Sequence, residues 1–390
     1  MLREKEQAET GRGLKVYQVV STYYPGIGGV QRATETLNRG LIQQGCDSQV
    51  LTTWFPGLPR HEVIQTVPVR RLGFGGPGKL RALTFGLHTL YWVWRHGQAV
   101  PVIHTQNMDT PLLVGIWLKL LARKRWVATI HGEWHIPLTR RVLLGPVRLY
   151  LMRRLVDHFI AISEGNRQAM LAEGISPERI SLIPNGIDTD FFRPPQPEER
   201  RALRARYGYG ADEVMVLFLG RLLFRKRPDL LLQAVARLGR EDSVQCVVAG
   251  DGPEMSHLRA LAEKLALDRR VRFAGAVDNV RDFYWLSDIF VLPSQYEGFP
   301  VALLESMACG MAVLVTRCAG NLAVVTDGVN GLASEIDDVE SLSQQLRVLV
   351  HDAAKRRALG REARQTVLTR CSMQAVSTAH LQVYNQVMGQ

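Results

Sequence analysis

Two glutamates stand eight positions apart in the segment PSQYEGFPVALLE, at Glu297 and Glu305. In enzymes that hydrolyse sugar chains, a pair of carboxylates lies about 5–9.5 Å apart across the bond that is cut. Eight residues of helix rise about 12 Å and turn the second side chain away from the first. The spacing therefore argues against a hydrolytic pair. Two interpretations remain, either two separate contacts to one extended ligand or a capping acid and a surface acid.

The loop between these glutamates is expected to open a helix. An apolar run at 289–292 predicts a strand, and Pro300 suits the first turn of a following helix, where the missing N–H of proline costs nothing. The other free amide groups at a helix start can bind an anion or sugar hydroxyls. Since Pro300 cannot donate, we expect the donors at neighbouring residues such as Phe299 and Val301.

A second group of candidates is basic and follows another predicted strand, at 214–219. The segment GRLLFRKR begins with Gly220 and places Arg221 and Lys226 five positions apart. Arginine can donate two parallel hydrogen bonds to phosphate oxygens, while lysine acts as a point charge. Because ligands bind beyond the carboxyl ends of parallel strands, this position favours a diphosphate site over the alternative, an ordinary basic loop.

A glycine-rich turn, PGIGGV, follows the first predicted strand at 14–21. It fails the dinucleotide-binding pattern, which requires a glycine where Gln31 stands and an acidic residue about 20 positions further on. An NAD-dependent oxidoreductase is therefore disfavoured. Gly28 and Gly29 instead predict a flexible loop at the start of a helix, where the backbone can approach a phosphate or an acceptor closely.

Two motifs could suggest a metal, and both have a better explanation. The residues from His131 to His135 read HGEWH, a spacing that could bind zinc, but the loop offers no third ligand group. We expect His131, at the end of a predicted strand at 125–130, to make a polar contact to a ligand, with a structural capping histidine as the alternative. Asp188-Thr-Asp190 lies in a linker and predicts a turn without a metal.

The elements that must position these residues follow from the apolar pattern. The chain has 390 residues, and because domains run roughly 100–200 residues, two are expected. Strands and helices alternate in both halves, which predicts an α/β protein with two open parallel sheets. Glycine and proline punctuate the chain near 184–197, so we place the domains at 1–192 and 193–370, with a final helix at about 371–390 packing back on the first domain.

The individual predictions are as follows. Strands are predicted at 14–21, 102–105, 125–130, 158–162, 214–219, 244–249, 271–273, 289–292 and 312–315. Helices are predicted at 30–44, 228–238, 254–265, 300–308, 339–350 and 372–388.

Charge and cysteine content narrow the setting. Residues 1–192 hold 23 Lys and Arg against 14 Asp and Glu, whereas the remainder holds 25 against 23, so the basic excess lies in the first half. Such an excess suits nucleic acid, an anionic membrane or a phosphorylated substrate, with a solvated surface as the default. No apolar stretch reaches the roughly 20 residues of a spanning helix. Five cysteines without a CxxC pair suit a reducing cytoplasm.

Taken together, the motifs resemble those of the retaining glycosyltransferases of family four. That family has the GT-B fold, two Rossmann-like doubly wound parallel-sheet domains facing across a cleft. The resemblance covers nearly the whole chain, from Pro25 to about Arg370. Its motifs stand in the family's order: Gly28-Gly29-Val30, Thr129-Ile130-His131-Gly132, Ala161-Ile-Ser163-Glu164, Ile183-Pro-Asn185-Gly186-Ile187-Asp188, Gly220-Arg221 with Lys226, Gly250-Asp251-Gly252, and Glu297-Gly298-Phe299-Pro300 with Glu305.

The resemblance implies that four of these residues act in catalysis. Arg221 and Lys226 would bind the donor diphosphate, Glu297 would hold the donor sugar, and His131 would contact that sugar near the reacting carbon. Such enzymes need no bound metal or other cofactor. The leaving diphosphate takes the acceptor's proton on the same face of the sugar, so the anomeric configuration is retained. The remaining implied donor contacts are Gly28, Gly29, Gly220, Gly250, Gly298, Phe299, Pro300, Val301 and Glu305, the last binding the ribose hydroxyls.

The resemblance also implies the substrates, a UDP- or GDP-linked sugar and a hydroxyl acceptor in polysaccharide or glycolipid synthesis. We expect that acceptor to be a glycan or a lipid-linked glycan. The basic first half predicts a peripheral contact with an anionic membrane at its cytoplasmic face rather than with nucleic acid. The candidates for that contact are Arg123-Lys124-Arg125, Arg140-Arg141, Arg153-Arg154 and the aromatic-rich helix Leu80–Trp94. The alternative function is a nucleotide-sugar-binding protein that has lost catalysis.

One segment departs from the family pattern. The family often has Gly-Gly-x-x-Glu after the strand that follows Glu305. This chain has Ala319-Gly320-Asn321-Leu-Ala-Val-Val325, with asparagine for one glycine and an apolar residue for the acid. Donor contacts and sugar specificity are therefore not carried over to this segment.

Overall fold

The computed structural model describes residues 13–26, 28–75, 78–107, 109–132, 135–141, 144–239 and 242–389. These residues cluster into two compact units, one formed by the chain up to Gly186 with the chain from Met373 onward, the other by Ile187–Ser372. The sequence places the boundary at 192. The unit boundary comes earlier because Ile187 donates its backbone N–H to Cys371 and pairs with Ser372, both in the second unit.

Strands and helices alternate along the first unit. Its strands are β1 (Lys15–Val20), β2 (Asp47–Thr53), β3 (His61–Ile64), β4 (Val67–Leu72), β5 (Val102–Gln106), β6 (Arg125–Ile130), β7 (His158–Ala161) and β8 (Ile180–Leu182). Its helices are α1 (Gly29–Gln43), α2 (Gly78–His96), α3 (Thr110–Leu121), α4 (His135–Arg141), α5 (Gly145–Leu155) and α6 (Glu164–Ala172).

The described strands of this unit form one sheet in the order β3-β4-β2-β1-β5-β6-β7-β8. All neighbours are parallel except β3 and β4, which form an antiparallel edge. The central strands β5 and β7 are buried along their whole length, as expected for a parallel sheet covered on both faces. The strand order reverses between β1 and β5, and this is the kind of edge where doubly wound sheets bind ligands.

The second unit repeats the architecture on a smaller scale. Its strands are β9 (Val214–Leu219), β10 (Val244–Ala249), β11 (Val271–Gly275), β12 (Ile289–Leu292), β13 (Ala312–Thr316) and β14 (Leu332–Ser334). Its helices are α7 (Pro197–Tyr207), α8 (Pro228–Ala236), α9 (Met255–Lys264), α10 (Val280–Leu286), α11 (Val301–Ala308), α12 (Ala319–Leu322), α13 (Val339–His351) and α14 (Ala353–Arg370).

The described strands of the second unit are all parallel and follow the order β11-β10-β9-β12-β13-β14. The runs VMVLFL of β9 and IFVL of β12 are buried almost throughout, which is the pattern of strands with helices on both faces. The order reverses between β9 and β12. The two loops that follow these strands therefore lie beside each other at the carboxyl edge of the sheet.

The last helix, α15 (Met373–Met388), belongs to the first unit and packs against α1. Its Val376, Leu381 and Tyr384 are buried in one apolar cluster with Leu37 and Leu41 of α1. Helix α15 therefore completes the core on one side of the first sheet.

The structure bears on the predicted linker turn and on membrane-spanning helices. Asp188 accepts the backbone N–H groups of Asp190 and Phe191 at 3.2 and 2.9 Å, so this acidic pair forms a turn, as the sequence predicts. Within the described part of the chain, every helix is too short or too polar to cross a bilayer.

Substituting Leu381 tests the contribution of α15 to the first unit. Leu381→Ala removes a fully buried side chain, and such truncations lower the free energy of unfolding by about 2–5 kcal/mol. Gln382→Ala, at the exposed neighbouring position on the same helix, should change that free energy by no more than about 0.5 kcal/mol. Urea unfolding followed by tryptophan fluorescence measures both, and equal midpoints for the two variants would contradict this account of the core.

Candidate functional site

The loops that follow β9 and β12 are joined by an ion pair. Lys226, in a short 3-10 turn after β9, places its Nζ 2.7 Å from Oε1 of Glu297, in the loop after β12. Ser294 donates its hydroxyl to the same carboxylate oxygen at 2.9 Å, and a guanidinium nitrogen of Arg225 lies 3.6 Å from Oε2. The side chain of Glu297 is 8% exposed and that of Lys226 is 13% exposed. This is a nearly dry charge pair at the carboxyl edge of the sheet.

Opposing effects act on the pKa of Glu297. Burial, the largest single effect, raises it because a charged carboxylate loses hydration. The charge and hydrogen bond of Lys226, then the charge of Arg225 and the hydroxyl of Ser294, lower it by more in total. The net pKa of Glu297 is below its ordinary value, and Glu297 is therefore ionised at neutral pH.

Arg221 supplies a second positive charge on the loop after β9. Its side chain is exposed and makes no ion pair with any described residue, unlike Lys226. A guanidinium that needs no internal partner can donate to a bound anion without losing an existing interaction. The two cations expected to bind a diphosphate thus differ, since Arg221 is open to solvent and Lys226 is already shared with a carboxylate.

Three glycines allow the strand-end loops to pack closely. A Cβ on Gly250, which has φ +134°, would lie 2.0 Å from the carbonyl oxygen of Gly220, and a Cβ on Gly320 would lie 2.1 Å from that of Glu297. Gly220 itself has φ +153°, and the Lys226 side chain passes 3.8 Å from where its Cβ would be. Larger side chains at Gly250 or Gly320 would push apart the loops that hold the ion pair.

Helix α11 begins beside this ion pair. Pro300 is its N-cap rather than its first residue, no side chain caps the helix, and no acidic residue occupies its first turn. Phe299 and Val301 are buried on either side of the proline, and Gly298 follows Glu297 directly. An uncapped helix start leaves backbone N–H groups able to receive an anion or a hydroxyl. The structure thus brings these three residues and Pro300 together with Glu297.

Glu305 lies deeper than the sequence interpretation requires. It is 2% exposed, and Tyr284 on α10 donates its hydroxyl to Oε2 of Glu305 at 2.7 Å. The role of Glu305 in binding ribose stays a prediction.

The segment that departs from the family pattern has a structural explanation. Asn321 is fully buried, and its side-chain amide donates to the backbone oxygen of Thr316, at the end of β13, at 3.0 Å. Val324 and Val325 are buried as well. The asparagine therefore fixes the turn between β13 and α12, and the residues that replace the family's acid pack into the core.

The first unit holds the remaining candidates, His131, Gly28 and Gly29. His131 follows β6, is 9% exposed, and places Nε2 2.7 Å from Oε1 of Gln106 at the end of β5. Gly28 is the N-cap of α1, and Gly29 is its first residue. The Gln31 side chain donates to the Thr22 hydroxyl at 2.8 Å and so braces the glycine turn.

No described group of three or more histidine, cysteine, aspartate or glutamate side chains could hold a metal ion. Glu133, the middle acid of the HGEWH motif, lies outside the described residues. Within this motif, the structure describes the contact of His131 with Gln106.

Sequence reasoning missed four contributors to these sites, Arg225, Ser294, Gly320 and Gln106. Arg225 and Ser294 contact Glu297, Gly320 lets α12 approach it, and Gln106 holds His131. Each lies at or just beyond the carboxyl end of a strand. This position is the sequence feature that could have identified these residues as candidates, because ligands bind at that edge of a parallel sheet.

Both halves of the chain match known families. Residues 27–191 match Glycosyltransferase Family 4, and residues 199–366 match Glycosyl transferases group 1. The D-inositol 3-phosphate glycosyltransferase 2 of Catenulispora acidiphila is 30% identical over 348 residues, or 78% of this chain and 77% of that protein. The lipopolysaccharide core biosynthesis glycosyltransferase LpsE of Rhizobium meliloti is 36% identical over 180 residues, or 46% of this chain and 52% of that protein.

The fold also matches solved structures. Anabaena HepE, in a crystal structure with UDP and glucose, superposes with a TM-score of 0.81 at 20% identity, covering 96% of this chain and all of that one. Its similarity establishes the GT-B fold of two parallel α/β domains.

The lowered pKa of Glu297 leads to a pH prediction. A carboxylate whose pKa is lower in the folded state stabilises the protein above its unfolded pKa, near 4.5, and loses that contribution as the pH falls through the folded value. Glu297→Gln should therefore be less stable than the parent at pH 6, with a difference that shrinks below pH 4.5. Urea unfolding at a series of pH values measures this, and a difference that grows on acidification would contradict the ion pair.

Proposed function

This chain belongs to glycosyltransferase family 4 and transfers a sugar from a nucleotide sugar, and from that premise we propose a retaining, metal-independent transfer to a hydroxyl acceptor. The donor is a UDP- or GDP-linked sugar. The acceptor is a glycan or lipid-linked glycan in polysaccharide or glycolipid synthesis. The observation that carries the proposal is the pair Lys226–Glu297, which places a cation and a hydrogen-bond acceptor side by side at a sheet edge.

The donor diphosphate is proposed to bind Arg221 and Lys226. A lysine ammonium has three N–H donors, so Lys226 can keep its contact with Glu297 and still donate to phosphate oxygens. Glu297 then accepts a hydrogen bond from a sugar hydroxyl next to the diphosphate. This arrangement keeps the sugar beside the cations that stabilise its leaving group.

The proposed reaction breaks the bond between the anomeric carbon and a diphosphate oxygen. The acceptor oxygen bonds to the same face of that carbon, and the acceptor's proton passes to the departing phosphate oxygen. Negative charge builds on the diphosphate as the bond breaks, and preplaced cations stabilise that charge most in the transition state. Two cations, Arg221 and Lys226, supply the stabilising positive charge, so that no metal ion is needed for it. His131 is proposed to contact the sugar near the reacting carbon.

The similar proteins support the substrate classes of this proposal. HepE was crystallised with UDP and glucose, which supports a UDP-linked donor, and LpsE is a glycosyltransferase of lipopolysaccharide core biosynthesis. The five cysteines, at 46, 246, 309, 318 and 371, are free and buried in the structure, which supports a reducing cytoplasm as the site of action.

An exposed apolar face on α2 supports a membrane contact. Leu80, Leu83, Leu87, Tyr91 and Trp94 recur every three or four residues, and their side chains are 49–61% exposed. That spacing places them on one face of the helix. An amphipathic helix of this kind lies at a membrane surface with its apolar face among the headgroups.

An exposed arginine near this face, Arg123, supplies charge attraction. Helix α3 packs on α2, and the exposed Leu121 and Arg123 near its end line a pocket of about 200 Å³ together with Trp94. Lys124 is buried and donates to the Gly97 carbonyl, so we exclude it from the residues proposed to contact the membrane. The proposed surface is thus α2 with the end of α3, at the inner face of an anionic membrane.

Lys226→Ala tests the donor site. Loss of one such preplaced cation should lower kcat by about 10²–10³-fold, measured as transfer or hydrolysis across a panel of UDP- and GDP-sugars. Lys264→Ala, an exposed lysine of the same unit, is the matched control and should keep full activity. Full turnover by Lys226→Ala would contradict the site. Thermal stabilisation by a nucleotide, about 2.7 kcal/mol at 100 times Kd, without turnover on any acceptor would favour the inactive binding protein.

Stereochemistry and metal dependence are tested on the product. The coupling constant of its anomeric proton should match that of the donor sugar, and activity should survive EDTA. An inverted product would overturn the retaining assignment. Activity that is lost in EDTA and restored by Mg²⁺ would overturn metal independence.

Introducing negative charge on the apolar face of α2 tests the membrane surface. The double variant Leu83→Glu with Leu87→Glu should bind vesicles that contain anionic phospholipid at least about 10-fold more weakly. Each leucine that inserts into the membrane contributes about 1.5–3 kcal/mol to the free energy of binding. Val329→Glu, an equally exposed apolar residue of the second unit, should bind as the parent does. Flotation at low salt measures all three proteins, and binding by the double variant at parental strength would refute this surface.

A further inference from the structure

A chain of buried hydrogen bonds connects His131 to helix α15 within the first unit. His131 Nε2 lies 2.7 Å from Gln106 Oε1, and Gln106 donates its side-chain N–H to Gln18 Oε1 at 2.9 Å. Gln18 in turn donates to the hydroxyl of Tyr384 at 3.0 Å. Gln18 and Tyr384 are fully buried, and Gln106 is 2% exposed. Four side chains, from β1, β5, α15 and the loop after β6, thus form one buried relay.

The relay has a direction, which follows from the donors and acceptors of each group. A glutamine oxygen can only accept, so the Nε2 of His131 that faces Gln106 Oε1 must carry a proton. The Gln106 amide is held in this orientation because its nitrogen donates to Gln18. Gln18 is held likewise because its nitrogen donates to Tyr384.

The far end of the relay is a buried histidine, His104. The Tyr384 hydroxyl lies 2.7 Å from Nδ1 of His104, and Nε2 of His104 lies 2.7 Å from the Thr129 hydroxyl. Burial, together with the nearby His380 and His131, lowers the pKa of His104 well below its ordinary value, so the ring is neutral. A neutral imidazole has one acceptor and one donor nitrogen. With the Gln18 amide donating to Tyr384, the Tyr384 hydroxyl donates to Nδ1 of His104, and Nε2 is then the nitrogen that donates to Thr129.

Packing alone does not fix the His131 ring. A cavity of about 20 Å³, room for about one water molecule, adjoins it, lined also by Gln106, Thr129, Asn185 and His380. On the side that faces the cavity, the orientation of the ring depends on hydrogen bonds rather than on packing against side chains. Gln106 supplies one such bond.

We propose that Tyr384 is a positioning residue for His131. Through Gln18 and Gln106, its hydroxyl holds the His131 ring in one orientation, with a proton on the Nε2 that faces the Gln106 oxygen. The inference rests on the proposed function, in which His131 contacts the reacting sugar. A ring set before the donor binds needs no reorganisation when the sugar reacts.

Tyr384→Phe tests this by removing only the hydroxyl. In protein labelled with ¹⁵N-histidine, the ring nitrogen shifts of His131, assigned by comparison with His131→Asn, should report the Nε2–H form in the parent. The variant should show a mixture of both neutral forms. Ser377→Ala is the matched control, since it removes another buried hydroxyl of α15, bonded to Met373 and Gln44, outside the relay. It should leave the His131 shifts unchanged.

Kinetics give an independent measure of the same role. Tyr384→Phe should lower kcat by about 10- to 100-fold through misplacement of His131. KM for the nucleotide sugar should stay within about two-fold of the parent, because Arg221 and Lys226 belong to the other unit. Ser377→Ala should keep the parental kcat.

The two proposals fail in different ways. A folded Tyr384→Phe protein with unchanged His131 shifts would overturn the relay, whatever its activity. Full activity of His131→Asn would overturn the role of His131 in the reaction while leaving the relay intact. If Tyr384→Phe does not fold, Gln18→Met interrupts the relay at its middle, because an uncharged side chain of similar volume can neither accept from Gln106 nor donate to Tyr384, and the same shifts decide.

Discussion

The carboxyl edge of the second sheet depends on one buried charge pair, Lys226 with Glu297. Removing Glu297 would leave the charge of Lys226 without this partner in a nearly dry place, a loss of about 3–5 kcal/mol. The loops after β9 and β12 are therefore held side by side by a contact between residues that are 71 positions apart in sequence. Close glycine packing brings the neighbouring loops together, Gly250 against Gly220 and Gly320 against Glu297. The exposed Arg221 is the component of this edge that stays available to a ligand.

The two units apply the same architecture to different tasks. In each, the strand order reverses beside the first strand, and candidate residues stand on the loops at that reversal. The second unit presents cations there, whereas the first presents uncharged amides and a histidine joined by hydrogen bonds. A fixed imidazole and a fixed diphosphate site are both examples of preorganisation, in which folding orients the groups before the substrate arrives.

The strands that carry the site could be predicted from sequence because they are buried on both faces. The apolar runs at 214–219, 244–249 and 289–292 match β9, β10 and β12 to the residue, each bounded by glycine or proline. Helix α14 escaped prediction because its arginines and alanines show little apolar periodicity. The contact between Lys226 and Glu297, and the relay behind His131, involve residues far apart in sequence, and spacing within one segment carries no information about them. The same limit applies to the hydrogen bond that Glu305 accepts from Tyr284, 21 positions away, while the role of Glu305 in binding ribose stays a prediction.

The interrupted path of the chain has a consequence for biosynthesis. The first unit needs α15 to finish its core, but the second unit is synthesised in between. At about 5–20 residues per second, the ribosome takes roughly 10–40 s to add the intervening segment, during which Leu37 and Leu41 lack their cover. The second unit, continuous in sequence, can fold while the first is still open. The nascent chain therefore exposes apolar surface for many seconds, and in the cell this interval is when chaperone protection matters most.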